Sequence, residues 1–272
     1  LAPTLDLAEP PSTYTSRILL AAMDELGDRD PFVAVKREQN DLARPLAEAA
    51  DRELGDGPGD LRRALALAAA GNVIDSGPRH EFPVEAALER LSFARDDSEL
   101  LLERLVRGGS VLYILDNSGE VMFDRLVLER LAGNDVTIVA RSSPVLNDVT
   151  VDEARALGLG EFGRVIGTGS RFLGVDLATV SDEFRQAYEA AGTVIAKGHA
   201  NFESLAGRGR DGFYVLKAKC ELVADVLGVG LGESACYYEE GRSMSNDECR
   251  MTNARSLPHS NPGTLESSNP IR

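Results

Sequence analysis

The stretch SVLYILDNSGEVMFDRLVLERLAGNDVTIVA, residues 110–140, reads as strand, helix, strand. SVLYIL and VTIVA are short apolar runs rich in β-branched and aromatic residues, while EVMFDRLVLERLAG carries its apolar residues at helical spacing. Two strands with no polar face, joined by a helix, make a βαβ unit whose strands lie parallel and are covered on both sides. Downstream the order repeats. TVDEARALG is a helix whose Thr150 and Glu153 have capping-box spacing, GRVIG a strand, SDEFRQAYEAAG a helix, TVIA and FYVLK strands, and CELVADVLG a helix. The expected fold is therefore α/β, a three-layer α/β/α arrangement around a mainly parallel, Rossmann-like sheet. Upstream, from residue 12 to 107, SRILLAAMDEL, DLRRALALAAAGN and SELLLERLV have helical periodicity, which predicts an N-terminal helical subdomain. The α/β core then spans 108–232. Residues 233–272 are rich in Ser, Asn, Pro and Gly without apolar period and read as a flexible tail, with a docked arm anchored by Tyr237 and Tyr238 as the alternative.

The chain has 272 residues, with 44 acidic against 29 basic side chains and a net charge of −15. No cluster of Lys and Arg is available to neutralise phosphates, so nucleic acid is excluded as the expected partner. At 43% hydrophobic and 27% charged residues, the composition is that of a globular protein. No apolar run has the length of a membrane span, and LAPTLDLAEPPS has neither the basic nor the apolar part of a signal peptide. Cys220, Cys236 and Cys249 form neither a CxxC pair nor an even disulfide set. The expectation is a cytoplasmic protein without a membrane partner.

In an open parallel sheet, ligands sit beyond the carboxyl ends of the strands. That rule selects Asp116-Asn117-Ser118-Gly119-Glu120, Arg141 through Asp148, Gly167-Thr168-Gly169-Ser170, and Lys197-Gly198 through Asn201-Phe202-Glu203. Asp116, Asn117 and Asp148 offer two carboxylates and an amide oxygen, hard donors suited to a divalent cation with positions left open for water and substrate. Lys197 adds an ammonium, expected to be mobile, and the Gly-rich segment adds backbone N–H groups suited to a phosphate. Together they suggest a metal-assisted phosphoester site. Each piece also has a plain reading: DNSG as a turn, Asp148 as a helix cap, Lys197 as an exposed loop lysine, and TGSRFLG as a generic glycine loop.

Seven segments in order resemble the damage-control phosphatases, also known as the domain of unknown function 89. They are Asp30-Pro31-Phe32 with Lys36 and Asn40; Gly71-Asn72-Val73-Ile74-Asp75; the DNSGE turn; Pro144 through Thr150; Gly167 through Ser170; Lys197 through Glu203; and Lys219-Cys220-Glu221 with Leu227-Gly228-Val229. The resemblance implies a divalent metal (Mn, Mg, Co or Ni) held by Asp116, Asn117 and Asp148, and phosphatase activity on small phosphorylated metabolites. It also implies catalytic roles for Asp116, Asp148 and Lys197. Asn72, Asp75, Glu120, Gly169, Ser170, Lys197 and Asn201 are then expected on the substrate side. The cysteine pair usual near the start of such chains is absent, and Arg171-Phe172 replaces smaller residues in the glycine loop.

The expected function is metal-dependent hydrolysis of sugar phosphates or damaged phospho-metabolites, through metal-activated water or through an aspartyl-phosphate. Two readings of other classes stand beside it. A carboxyl methyltransferase would need a site for S-adenosylmethionine, and the DNSGE turn has a single glycine for it. A non-catalytic metabolite-binding protein would retain the fold without turnover.

Overall fold

The computed structural model describes residues 11–71 and 91–241. In chain order these form α1 (Pro11–Leu26), α2 (Val33–Glu53), α3 (Pro58–Ala70), β1 (Arg95–Asp96), α4 (Ser98–Val106), β2 (Ser110–Ile114), α5 (Glu120–Glu129) and β3 (Asp135–Ala140). They continue as α6 (Val151–Ala156), β4 (Arg164–Gly167), α7 (Asp182–Ala190), β5 (Thr193–Lys197), α8 (His199–Leu205), β6 (Gly212–Lys217), α9 (Glu221–Leu227) and β7 (Ser234–Glu239). Each strand and helix expected between residues 110 and 228 is present.

The strands make one sheet in the order β1-β7-β6-β5-β2-β3-β4. β2 pairs parallel with both β3 and β5, with Ile114 opposite Val139 and Ala196. The chain therefore winds outward in both directions from β2, and the loops after β2, β3 and β5 open at one edge, where such folds bind ligands. Alternation along each strand separates two cores. Val111, Tyr113, Ile138, Ile195, Phe213 and Val215 face a layer built from α2, α3, α4, α5 and α6. Leu112, Ile114, Val139, Ala196, Tyr214 and Leu216 face α7, α8 and α9. The N-terminal helices thus share a core with the sheet: the alanines and leucines of α3, Leu61 through Ala69, lie in the same apolar cluster as β2 and β6.

The expectation of a flexible tail from residue 233 needs correction. Ser234–Glu239 is a strand, antiparallel to β6 with Cys236 opposite Val215, and β1 pairs with it in turn. Cys236 is buried, Tyr237 stacks on Tyr214 at 6.3 Å, and Tyr238 lies 4.8 Å from the Phe213 ring. The backbone ladder with β6 and these ring contacts supply what the sequence, short of apolar residues here, did not advertise. Residues 242–272 of the expected tail lie outside the described residues. Among the described residues, no helix is long and apolar enough to cross a membrane.

Candidate functional site

β2 runs into Leu115-Asp116, and the chain turns at Ser118-Gly119 into α5, with Gly119 at φ +80°. The loop after β3 is stitched to this turn: Ser118 N–H donates to Asn147 O at 2.8 Å and Val149 N–H to Asp116 O at 2.9 Å. Asn117 and Asp148 are bridged as an antiparallel pair. Two segments some 30 residues apart in sequence thereby hold their side chains at one spot. Leu146, two residues before Asp148, is the single non-glycine residue with positive φ among the described residues, at +45°. A left-handed leucine costs roughly 1 kcal/mol. The stitching bonds on either side keep it there.

Arg141, the first residue past β3, is 1% exposed and connects the site. Its Nε donates to Asp148 Oδ2 at 2.7 Å, Nη1 to Gly174 O at 2.6 Å and Nη2 to Asn201 Oδ1 at 2.9 Å, while Asp116 Oδ1 lies 4.0 Å from Nη2. Asn117 Nδ2 donates to Asp116 Oδ2 (2.9 Å) and Glu120 Oε1 (3.1 Å), which leaves the amide oxygen as its acceptor end. On the far side, the Lys197 ammonium donates to Ala68 O at 2.8 Å and lies 3.0 Å from Asp124 Oδ1 and 3.3 Å from Glu120 Oε2. Tyr113 donates its hydroxyl to the same Asp124 oxygen at 2.7 Å.

Of the residues expected from sequence, Asp116, Asn117, Glu120, Asp148, Lys197 and Asn201 are brought together. Two of them differ in character from the expectation. Lys197 is fully buried, with its ammonium held between carboxylates and a helix carbonyl, where a mobile lysine was expected. Asn201, also fully buried, donates to Leu115 O and Lys197 O and accepts from Arg141, so its amide braces β2 against β5. Gly169 and Ser170 sit past β4 with their donors engaged locally: Gly169 N–H on Ser142 Oγ at 2.6 Å, Ser170 N–H on Thr168 Oγ1 at 3.3 Å. Ser170 Oγ accepts from Phe172 N–H and the Thr179 hydroxyl, and the loop meets the cluster through Gly174 O. Asn72 and Asp75 lie outside the described residues. Arg141, though inside a selected segment, was given no role, and Asp124 was missed. The one signal for Arg141 was its position as the first residue after an apolar strand; Asp124 sits among the apolar residues of α5, where nothing marked it.

The electrostatics are lopsided. Four buried carboxylates, Asp116, Glu120, Asp124 and Asp148, face three buried cations, Arg141, Lys197 and Lys36, the last of them also paired with Asp30 and Glu153. Burial, then the neighbouring charges of Asp148 and Glu120, push the Asp116 carboxyl well above the usual carboxylate range, against Arg141 and Lys219. Burial also raises Glu120 and Asp148, opposed chiefly by Lys197 and Arg141 respectively. Burial alone would lower Lys197, but Asp124 and Glu120 bring it up to about 12. Ser118 Oγ and Asp124 Oδ2 are buried without a hydrogen-bond partner. The backbone of Gly198 approaches so closely that a Cβ there would come within 1.8 Å of Asp116 Oδ2. The edge thus presents crowded oxygen donors with an unbalanced negative charge, an arrangement completed by a cation. Among the described residues no three His, Cys, Asp or Glu side chains are grouped so as to hold a metal ion by themselves. Two carboxylates and an amide oxygen still fit an Mg²⁺-like ion, which retains several waters.

Residues 5–235 match the family model described as the damage-control phosphatase ARMT1-like domain. A Pyrococcus horikoshii protein named a damage-control phosphatase is 38% identical over 235 residues, covering 83% of this chain and 80% of the relative. An Archaeoglobus fulgidus protein of the same name is 30% identical over 237 residues, 83% of this chain and 81% of that one. The crystal structure of a DUF89 family protein from P. horikoshii superposes with a TM-score of 0.74 at 36% identity, covering 83% of this chain and 81% of that one.

Proposed function

The chain belongs to the damage-control phosphatase ARMT1-like family, which makes it a hydrolase of phosphate esters, and from that premise we propose that it is a metal-dependent phosphatase of small phosphorylated metabolites, sugar phosphates or damaged phospho-metabolites among them. The observation that carries the metal part is the excess of buried negative charge at the ends of β2 and β3. Asp116, Asn117 and Asp148 would hold the ion, Mn²⁺, Mg²⁺, Co²⁺ or Ni²⁺. Bound there, a divalent ion supplies Lewis-acid polarisation of a phosphoryl oxygen and balances the carboxylates.

The chain's own residues have separable tasks in this reading. Arg141 fixes the Asp148 carboxylate by a charge-assisted bond and lends positive charge toward Asp116. The Asn117 amide holds Asp116 and Glu120 in one orientation. With the ion in place, a carboxylate of the pair Asp116 and Asp148 would take a proton from an attacking water. Lys197 neutralises Glu120 and Asp124 from beneath instead of reaching the phosphate. Attack by an aspartate on phosphorus is the second route, distinguished by trapping of a phosphorylated enzyme.

The test is turnover of an aryl phosphate and a panel of sugar phosphates by chain stripped with chelator. Activity is expected to vanish on stripping and return with Mn²⁺, Co²⁺, Ni²⁺ or Mg²⁺. Full turnover in excess chelator would overturn the metal role, and no turnover of any ester with any of the four ions would overturn the hydrolase.

A further inference from the structure

α2 carries Lys36, Gln39 and Asn40 three and four residues apart, and so on one helix face. Asn40 and Gln39 make polar contacts with the two loops bearing Asp116, Asn117 and Asp148, and Lys36 contacts the first turn of α6 just past the second. Asn40 Oδ1 accepts the Gly119 N–H at 2.7 Å, and Gln39 Oε1 accepts from Asn147 Nδ2 at 3.1 Å. Lys36, its side chain 2% exposed, lies 2.6 Å from Glu153 Oε1 and 2.7 Å from Asp30 Oδ2. A buried ammonium is tolerated only when so paired. The other Glu153 oxygen accepts the Thr150 N–H and hydroxyl, both at 2.8 Å, two residues past Asp148. The helix therefore grips the first loop at Gly119, directly behind the DNSG turn, and the second on both sides of Asp148. Gly119 packs closely here: a Cβ on it would stand 3.3 Å from Gln39 Cβ.

We propose that this face of α2 is a clasp that sets the spacing between the Asp116-Asn117 turn and the Asp148 loop, with Asn40 its principal positioning residue. The proposal rests on the reading of Asp116, Asn117 and Asp148 as metal ligands. The bonds made directly between the two loops run from backbone to backbone and fix their pairing. Arg141 ties them from the sheet side, and α2 holds each of them from the opposite element through Asn40 and Gln39, with Lys36 fixing the α6 cap beyond. Groups that orient ligands in this way commonly control metal affinity.

Asn40→Leu removes the acceptor while keeping the branching of the side chain, and Asn40→Asp retains it. In calorimetric Mn²⁺ titration of the stripped full-length chain, Asn40→Leu is expected to weaken binding by about 10–100-fold, and Asn40→Asp to stay within about threefold of the parent. The metal-free unfolding midpoint of Asn40→Leu should move by no more than about 4 °C. Gln39→Met, at a half-buried position, supplies a second, milder variant should the first fail to fold, and is expected to weaken binding in the same direction. Parent-like Mn²⁺ affinity in the folded Leu or Met variant overturns the clasp. If the parent itself takes up no Mn²⁺, the metal reading falls, and amide exchange at Gly119 in the metal-free chain then decides. Faster exchange in Asn40→Leu supports the clasp as a loop-positioning device, and an unchanged rate overturns it.

Discussion

Arg141 illustrates how one side chain can organise a site without being visible as a motif. Its planar fork meets an aspartate, a backbone carbonyl and an asparagine in three directions. A lysine ammonium cannot reproduce those directions. Arg141→Lys is expected to lower kcat/KM by about 10–100-fold and to weaken Mn²⁺ binding in parallel, as steady-state kinetics and calorimetry would show. Lys197 is the complementary case. Removing a fully buried cation leaves Glu120 and Asp124 uncompensated, so Lys197→Ala should cost about 3–5 kcal/mol in urea unfolding. Parent-like stability would show that those carboxylates do not depend on it. The alkaline limb follows the same pair. Lys197 is raised from 10.5 to about 12, so the stability it contributes is complete below its unfolded value and lost as pH rises through the folded one. Asp116 has a raised value too, and its sign is worked the same way. Its contribution in the metal-free chain is complete below 3.8 and declines as pH rises through the raised folded value. Metal-free parent should therefore lose stability relative to Asp116→Asn as pH rises above 3.8 in paired denaturation series. Equal slopes for the two would contradict this account of the site's charge.

At the scale of elements, β2 to α9 were legible, α8 excepted, because each strand was a short apolar run and the other helices had a cap or a clear period; His199–Leu205 was read only as a polar segment past β5. Ser181, for example, accepts the Phe184 N–H at the start of α7, and Thr150 with Glu153 forms the expected capping box. Asp116, Asn117 and Asp148 were legible for a related reason, since strand ends in a parallel sheet converge whatever their sequence separation. The burial of Lys197 was not. It depends on Ala68, 129 residues away at the end of α3, and on Asp124, whose inward direction only the packed helix reveals. β7 was missed because SACYYE has two apolar residues facing a core and is followed by polar sequence. Its contribution is measurable. A chain ending at Gly232 exposes the long edge of β6 and loses the Tyr237 and Tyr238 ring contacts, so it should unfold at lower urea and with reduced cooperativity than the full chain. A shortened chain with the same midpoint and slope would return β7 to the status of a dispensable arm.

For the molecule as a whole, the site lies where the winding of the sheet reverses, so the loops that meet there are tied to both cores. Ligation at that point should stabilise the entire unit. With Mn²⁺ at about 100 times its dissociation constant, the unfolding free energy should rise by roughly 2.7 kcal/mol, visible as a concentration-dependent melting temperature. A melting temperature indifferent to Mn²⁺ would mean that the ion does not prefer the folded chain. The margins of the sheet have a different consequence. β1 and β4, the outermost strands among the described residues, are two and four residues long. An incoming strand from another copy would find only a brief ladder of open amides and carbonyls on either side, too short to template stacking. A seven-stranded sheet is in this way safeguarded against growing into a fibre, and substitutions that lengthen β4 into a continuous apolar margin would put that safeguard at risk.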